Sequence, residues 1–185
     1  LNLGNNALQA SPENSEIKII LEFVKQGGGL MLVGEHTDVF RTSSYLNTVA
    51  REFGFEYDND ILLDIDDTYR QTYYSPFIPH PVVQHIPYLR FQVSCSILPR
   101  NITGRAVIRS AGLRSLYADY HISNYYPVVE DYSNVRYGSF VQIWAQRYGK
   151  GRILAFTDST IFSNFSAFEP GVSELWLSMI EWLNH

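Results

Sequence analysis

The sequence predicts a three-layer α/β domain with a parallel core and an antiparallel extension, built as one domain over residues 1–185. Two stretches and one pattern carry that expectation. Residues 11–40, SPENSEIKIILEFVKQGGGLMLVGEHTDVF, read as a helix, a glycine turn, a buried strand and a polar loop opening from the strand's end. Residues 152–160, RILAFTDST, repeat the wholly apolar strand followed by a polar loop. Apolar strands without polar alternation are expected where helices cover both faces of a sheet.

The first helix follows from Ile17, Ile20, Leu21 and Val24, which fall on one stripe of a helical period. Ser11 is placed to cap it, Pro12 suits the first helical position, and Glu13 and Glu16 suit the positive end of the dipole. Gly27, Gly28 and Gly29 stop it, because a glycine past the last turn adopts the left-handed cap without steric cost. Leu46, Val49, Ala50 and Phe53 repeat the stripe over residues 43–53, with Gly54 as the stop.

Five aspartates then occupy positions 58, 60, 64, 66 and 67. A calcium loop of the EF-hand type needs a central glycine and a closing glutamate, and neither is there, so the stretch reads as a solvated acidic loop. Residues 75–90 hold four prolines with His80 and His85. That density of proline forbids a helix and predicts an irregular crossover, with the histidines on the surface or in packing. Strands are expected at 91–97, 106–110 and 116–120, and a Tyr-, Asn- and Asp-rich loop over 121–137. A hairpin of residues 140–147 and 152–156 turns at Gly149, Lys150 and Gly151. A helix from Pro170, striped by Val172, Leu175, Trp176, Met179, Ile180 and Leu183, closes the chain and should cover a sheet face.

Composition bounds the function. A chain that is 45% hydrophobic and 18% charged can bury a core of its own. A net charge of −5 without a Lys/Arg cluster argues against a nucleic-acid partner, which needs a concentrated basic face. One cysteine, Cys95, excludes an internal disulfide. No apolar run approaches the ~20 residues of a helical membrane span. The ends read as cut, as in a soluble fragment of a larger membrane-associated protein, and the compartment stays open. The triplets at Asn101 and Asn164 match a glycosylation pattern too short to carry weight.

Three motifs carry a family resemblance: E-x-x-x-I-x-x-F-V-x-x-G-G-G-L from Glu16, LMLVGEH over residues 30–36, and GKGRILAFTDS over residues 149–159. In these the chain resembles the class I glutamine amidotransferase-like superfamily, specifically its non-amidotransferase branches, which include trehalose-utilisation-type and membrane-protein-associated domains. The resemblance implies a flavodoxin-like fold. It does not extend to glutamine hydrolysis, because the G-x-C-x-G elbow that carries the family's nucleophile is missing. Cys95 lies in VSCSILP, an apolar strand pattern without a glycine neighbour, and reads as a buried structural thiol. No late H-x-E pair follows; the later histidines are His121 and His185.

In open α/β sheets, ligands bind outside the carboxyl ends of the strands. Two such ends are identifiable, Gly34-Glu35-His36-Thr37-Asp38 and the loop carrying Asp158 and Ser159, and these seven residues are the candidate ligand-binding set. No residue is assigned a catalytic or metal-binding role, and no cofactor is expected. Asp38 or Thr37 capping the next helix, with His36 bonded across to Asp158, is the structural alternative. The favoured function is a catalytically silent module that binds a small polar ligand or a protein partner through these loops and the tyrosine-rich segment 117–137. Two alternatives stay open. One is a hydrolase using His36 with Glu35 or Asp158, with or without a metal; the other is a structural part of a membrane-associated complex.

Overall fold

A computed structural model describes residues 11–66, 69–110, 112–118, 133–164 and 166–185. The leading ten residues, Asp67, His121 and most of the tyrosine-rich segment lie outside the described residues.

Helix α1 spans Asn14–Lys25. Its cap is Glu13 rather than Ser11: the Glu13 N–H donates to the Glu16 carboxylate at 2.8 Å, and the Glu13 side chain faces the backbone of that same residue. A reciprocal capping box satisfies two donors of the first turn at once, which places the start two residues later than a serine cap would. Gly27, at φ +128°, ends the helix and leads into β1 (Gly29–Val33). Helix α2 (Thr42–Ala50) continues as a 3-10 turn to Phe53, and Gly54, at φ +81°, stops it as expected.

The remaining described strands are β2 (Phe55–Tyr57), β3 (Asp60–Leu63), β4 (Gln71–Tyr74), β5 (Tyr88–Phe91), β6 (Ile97–Pro99), β7 (Gly104–Arg109), β8 (Leu113–Tyr117), β9 (Arg136–Gly138), β10 (Val141–Tyr148) and β11 (Gly151–Phe156). Helix α3 (Val172–Asn184) closes the chain. Six strands form the main sheet, in the order β1-β11-β10-β6-β2 with β7 also paired to β10. Strands β3, β8 and β9 make a second sheet, and β4 pairs with β5.

This architecture corrects the predicted fold class. The chain is mostly β, with eleven described strands in mixed and antiparallel sheets, and it is not a three-layer flavodoxin-like domain. Among the described residues only β1 and β11 run parallel. The apolar runs were a true signal of two-sided cover and a false signal of parallel neighbours. Leu154 and Phe156 of β11 pack with Val172, Leu175 and Met179 of α3 on one face. Ile153 and Ala155 pack with Val24 of α1 and with Leu46 and Val49 of α2 on the other. Yet β11 is antiparallel to β10.

Two local expectations also change. The proline-rich segment is not a crossover: it joins β4 to β5, which pair antiparallel from Gln71↔Phe91 to Tyr74↔Tyr88. The strand expected at 91–97 is broken into β5 and β6, which belong to different sheets. No helix among the described residues is long and apolar enough to cross a membrane.

The hairpin turn is pinned to the end of α1. Lys150 N–H donates to the Lys25 carbonyl at 2.9 Å, and a Cβ on Gly151 would overlap the Val24 and Gly28 carbonyl oxygens. Backbone cannot retreat as a flexible side chain can. Gly151→Ala is expected to cost about 2–4 kcal/mol in chemical denaturation. Gly112, at φ +80° with nothing near its Cβ position, should cost only about 1–2 kcal/mol when changed to Ala. Equal losses at the two sites would contradict the packing assigned to Gly151.

Candidate functional site

The parallel register of β1 and β11 sets the site. It runs from Gly29↔Arg152 to Val33↔Phe156, and the Gly34 N–H extends it by donating to the Phe156 carbonyl at 2.9 Å. Two residues beyond the last pair on each strand stand Glu35 and Asp158, so the two polar loops predicted from sequence leave the sheet side by side.

Gly34 serves packing. A Cβ there would strike the ring of Tyr57, whose hydroxyl donates to the Leu32 carbonyl at 2.8 Å. Glu35 is held at its backbone by Ser43: the Glu35 N–H donates to Ser43 Oγ at 3.0 Å, and that hydroxyl donates to the Glu35 carbonyl at 2.9 Å. At its side chain, Oε1 accepts from the Ser159 hydroxyl in a short hydrogen bond. Asp158 is buried; its Oδ1 accepts from the Thr160 N–H at 2.6 Å, and the His36 N–H also faces the carboxyl group. Its Oδ2 has no hydrogen-bond partner among the described residues.

Burial, reinforced by the charge of Glu35, pushes the Asp158 carboxyl well above its ordinary 3.8. Like charges facing one another resist double ionisation, so burial and Glu35 together favour the protonated form of Asp158. His36 is wholly buried, with Nδ1 3.0 Å from Thr37 Oγ1, and burial pulls it down to about 4, leaving a neutral imidazole. The His36 contact to Asp158 is thus made by its backbone, not by its ring.

The chain from Thr37 to Arg41 is strained. Thr37, Asp38, Phe40 and Arg41 have φ of 48°, 50°, 52° and 62°, and none is glycine. Each left-handed residue of this kind costs roughly 1–2 kcal/mol. One compensation is visible: Asp38 Oδ1 accepts from the Ser44 N–H at 2.8 Å and Oδ2 from the Ser44 hydroxyl, capping the first turn of α2. The strained segment walls a cleft of about 560 Å³ lined by Thr37, Asp38, Phe40, Arg41, Asn59 and Tyr117. Of the seven candidate residues, Thr37 and Asp38 reach it.

Sequence reasoning missed Phe40, Arg41 and Asn59, and touched Tyr117 only as the edge of the tyrosine-rich segment. Behind Tyr117 lies a second unforeseen cluster. Its hydroxyl donates to Asp58 at 2.8 Å, and Arg136 sits over its ring at 4.6 Å while donating to Asp58 at 3.0 Å. Asp60, expected in a solvated loop, is fully buried. It accepts from the Ser96 N–H at 2.7 Å, from Ser96 Oγ at 2.9 Å and from Ser115 Oγ at 2.6 Å, and burial lifts it to about 6. Among the described residues, no group of three or more His, Cys, Asp or Glu could hold a metal ion. His80 is buried and His85 exposed. Cys95 is buried, donates to the Thr157 carbonyl at 3.3 Å, and is pushed up by burial.

Two outcomes follow from these environments. An acid whose folded value is raised adds stability that is full below its unfolded value and is lost as pH rises through the folded one. Asp158→Asn mimics the protonated acid, so it should gain on the parent chain in urea melts as pH rises above the ordinary carboxyl value of 3.8. His36, lowered, works in the opposite sense: its contribution is lost as pH falls through 6.5 toward about 4, and His36→Gln should flatten that limb. Parallel curves for Asp158→Asn and the parent would contradict a raised Asp158. Cys95 should react with a thiol reagent only at the rate of unfolding, and fast labelling of the native chain would show the thiol accessible.

No protein-family model matches the sequence, and comparison with curated proteins finds no match. Solved structures do match in fold. A structure titled "mmIFT52 N-terminal domain" superposes with a TM-score of 0.63 at 12% identity, over 95% of this chain and 73% of that one. A second, "Cytoplasmic Protein STM1381 from Salmonella typhimurium LT2", has a TM-score of 0.52 at 13% identity, over 91% of this chain and 60% of that one. Identities this low show the fold alone. These neighbours are mostly β and are not class I glutamine amidotransferase-like, which overturns the resemblance drawn from the three motifs.

Proposed function

We propose that the domain binds a small polar ligand in the cleft walled by the residues that follow β1, and performs no reaction on it. The observation that supports this reading is the division of labour between cleft wall and interior. The wall offers a guanidinium from Arg41, a carboxamide from Asn59 and the apolar face of Phe40, while the Thr37 and Tyr117 hydroxyls are held by His36 Nδ1 and Asp58. A concave site with a few convergent polar groups around apolar surface is the usual form of a small-molecule pocket. Arg41 is backed by the Tyr45 ring at 5.4 Å, so its charge is presented on a supported side chain. Asp38 points its carboxylate into the α2 cap, which leaves the wall's acceptor-seeking groups dominant. A ligand carrying hydrogen-bond acceptors fits that balance.

Catalysis is disfavoured by access. A general base must come within hydrogen-bond reach of the proton it moves. His36 exposes none of its surface and Asp158 only 2%, so the groups with chemistry in them are those a substrate does not meet. A protein partner is disfavoured by the concavity, which suits a compact ligand better than a flat contact.

The test is a two-dimensional amide NMR titration with panels of free amino acids, sugars and nucleotides. Saturable shifts confined to residues 37–41, Asn59 and Tyr117 are expected for at least one class, weakened roughly tenfold by Arg41→Ala. Shifts nowhere in that set, or shifts indifferent to Arg41→Ala, would remove the cleft as the binding site.

A further inference from the structure

We propose a second, independent ligand site at the opposite end of β11, where Arg105, Arg147 and His80 form a pocket that takes the phosphate group of a small phosphomonoester. It owes nothing to the cleft described above, since Arg152 lies near the start of β11 and Asp158 beyond its end.

Strand alternation builds the pocket. In the antiparallel pairings of β10, Ala145 stands opposite Arg105 and Arg147 opposite Arg152. Residues two apart on a strand share a face, so all three arginines lie on the face that α3 covers. Ala145, between them, is too small to fill the space. The result is a pocket of about 450 Å³ walled by His80, Arg105, Arg147 and Trp182, with Pro81 and Ile102 at its rim.

The three arginines are not equivalent. Arg152 is already committed: it donates to the Trp182 carbonyl at 2.6 Å, near the C-terminal end of α3, and lies 5.3 Å from that residue's ring. Arg105 makes only a 3.5 Å contact to the Pro79 carbonyl, and neither it nor Arg147 has a carboxylate partner among the described residues. The acid nearest in sequence to Trp182, Glu181, faces His185 at 3.7 Å. In a chain of net charge −5, two guanidinium groups left without acids in one pocket are a departure that calls for a counter-charge.

His80 sharpens the class of ligand. Its Nδ1 accepts from the Val82 N–H at 3.3 Å, so the proton of the neutral ring sits on Nε2, which has no hydrogen-bond partner among the described residues. The ring is fixed against Trp182 at 5.1 Å. Burial, with the charges of Arg105 and Arg152, holds it down at about 4, so it donates without adding charge. Two cations and one neutral donor match a dianion with three terminal oxygens better than a carboxylate with two. Pro81 and the almost fully exposed Ile102 offer apolar contact to the organic part.

The experiment follows the His80 ring signals during titration with inorganic phosphate, glycerol 3-phosphate and acetate at constant ionic strength. Saturable shifts with glycerol 3-phosphate are expected at His80, Gly104, Arg105 and Arg147. Acetate should bind at least about tenfold more weakly, and Arg105→Gln with Arg147→Gln should weaken the ester roughly tenfold or more. The His80 titration midpoint should rise in the bound state, because an adjacent anion favours imidazolium. Binding of inorganic phosphate but not the ester would overturn the assignment to a phosphomonoester. Non-saturating shifts common to all three salts, or shifts unchanged in the double variant, would overturn the site itself. Both arginines are solvent-facing, and unchanged amide spectra elsewhere confirm that the double variant folds. Arg41→Ala should leave this titration unaltered, which separates the pocket from the cleft.

Discussion

One five-residue parallel pairing determines where this molecule keeps Glu35 and Asp158. Strand β1 lies at the edge of the main sheet with β11 as its sheet neighbour, and their register brings Glu35 and Asp158 out of the sheet together. A slip of one residue would turn every side chain of the strand to the other face. The register is locked from both directions. Gly29 admits no Cβ because the Leu183 carbonyl of α3 is against it, and Gly34 admits none because of the Tyr57 ring. Those two glycines bracket the strand, so the sheet edge and the site are a single packing problem.

Burying a carboxyl group without a counter-cation is unfavourable unless it is neutralised or well hydrogen-bonded. The chain uses both remedies, in two places. Asp60 meets two serine hydroxyls and an amide, with Arg136 3.4 Å away. Asp158 instead is pushed toward its protonated form, with Thr160 and His36 supplying amide N–H groups. The strained residues between Thr37 and Arg41 start directly from that pair. Strain of this kind persists only where its surroundings over-determine it, and here Ser43, Ser44 and the buried His36 do so. The cost supports a fixed cleft wall, the preorganisation a binding site needs.

Much of the local structure was legible in the sequence. The helix α1, the glycine stop at Gly54 and the hairpin turning at Gly149 follow from periodicity and turn chemistry and are present. Helix α3 buries Val172, Leu175 and Met179 of its predicted stripe but exposes Ile180 and buries Trp182 instead. So is the juxtaposition of the two polar loops, because two apolar strands of similar length were available to lie side by side. The fold class was not legible, and the reason is physical. LMLV and ILAF report cover on two faces, and cover says nothing about strand direction. Asp60 shows a second limit. In YDNDILLDIDD it looks like one more solvated acid, since its partners Ser96 and Ser115 lie 36 and 55 residues away. The pocket of Arg105 and Arg147 was invisible for the same reason: only the pairing of β7, β10 and β11 gathers those residues on one face.

The central claim is that the β1–β11 register forces Glu35 and Asp158 together, and that this pairing with burial lifts the Asp158 carboxyl above the ordinary carboxylate range. Carboxyl-carbon NMR titration of the native chain tests it most directly. The account predicts that Asp158 titrates above an exposed aspartate and that Glu35→Gln lowers its midpoint by removing the neighbouring charge. If Asp158 ionised like a solvent-exposed aspartate, or if its midpoint ignored Glu35→Gln, the two acids would not form a pair and the account would fail.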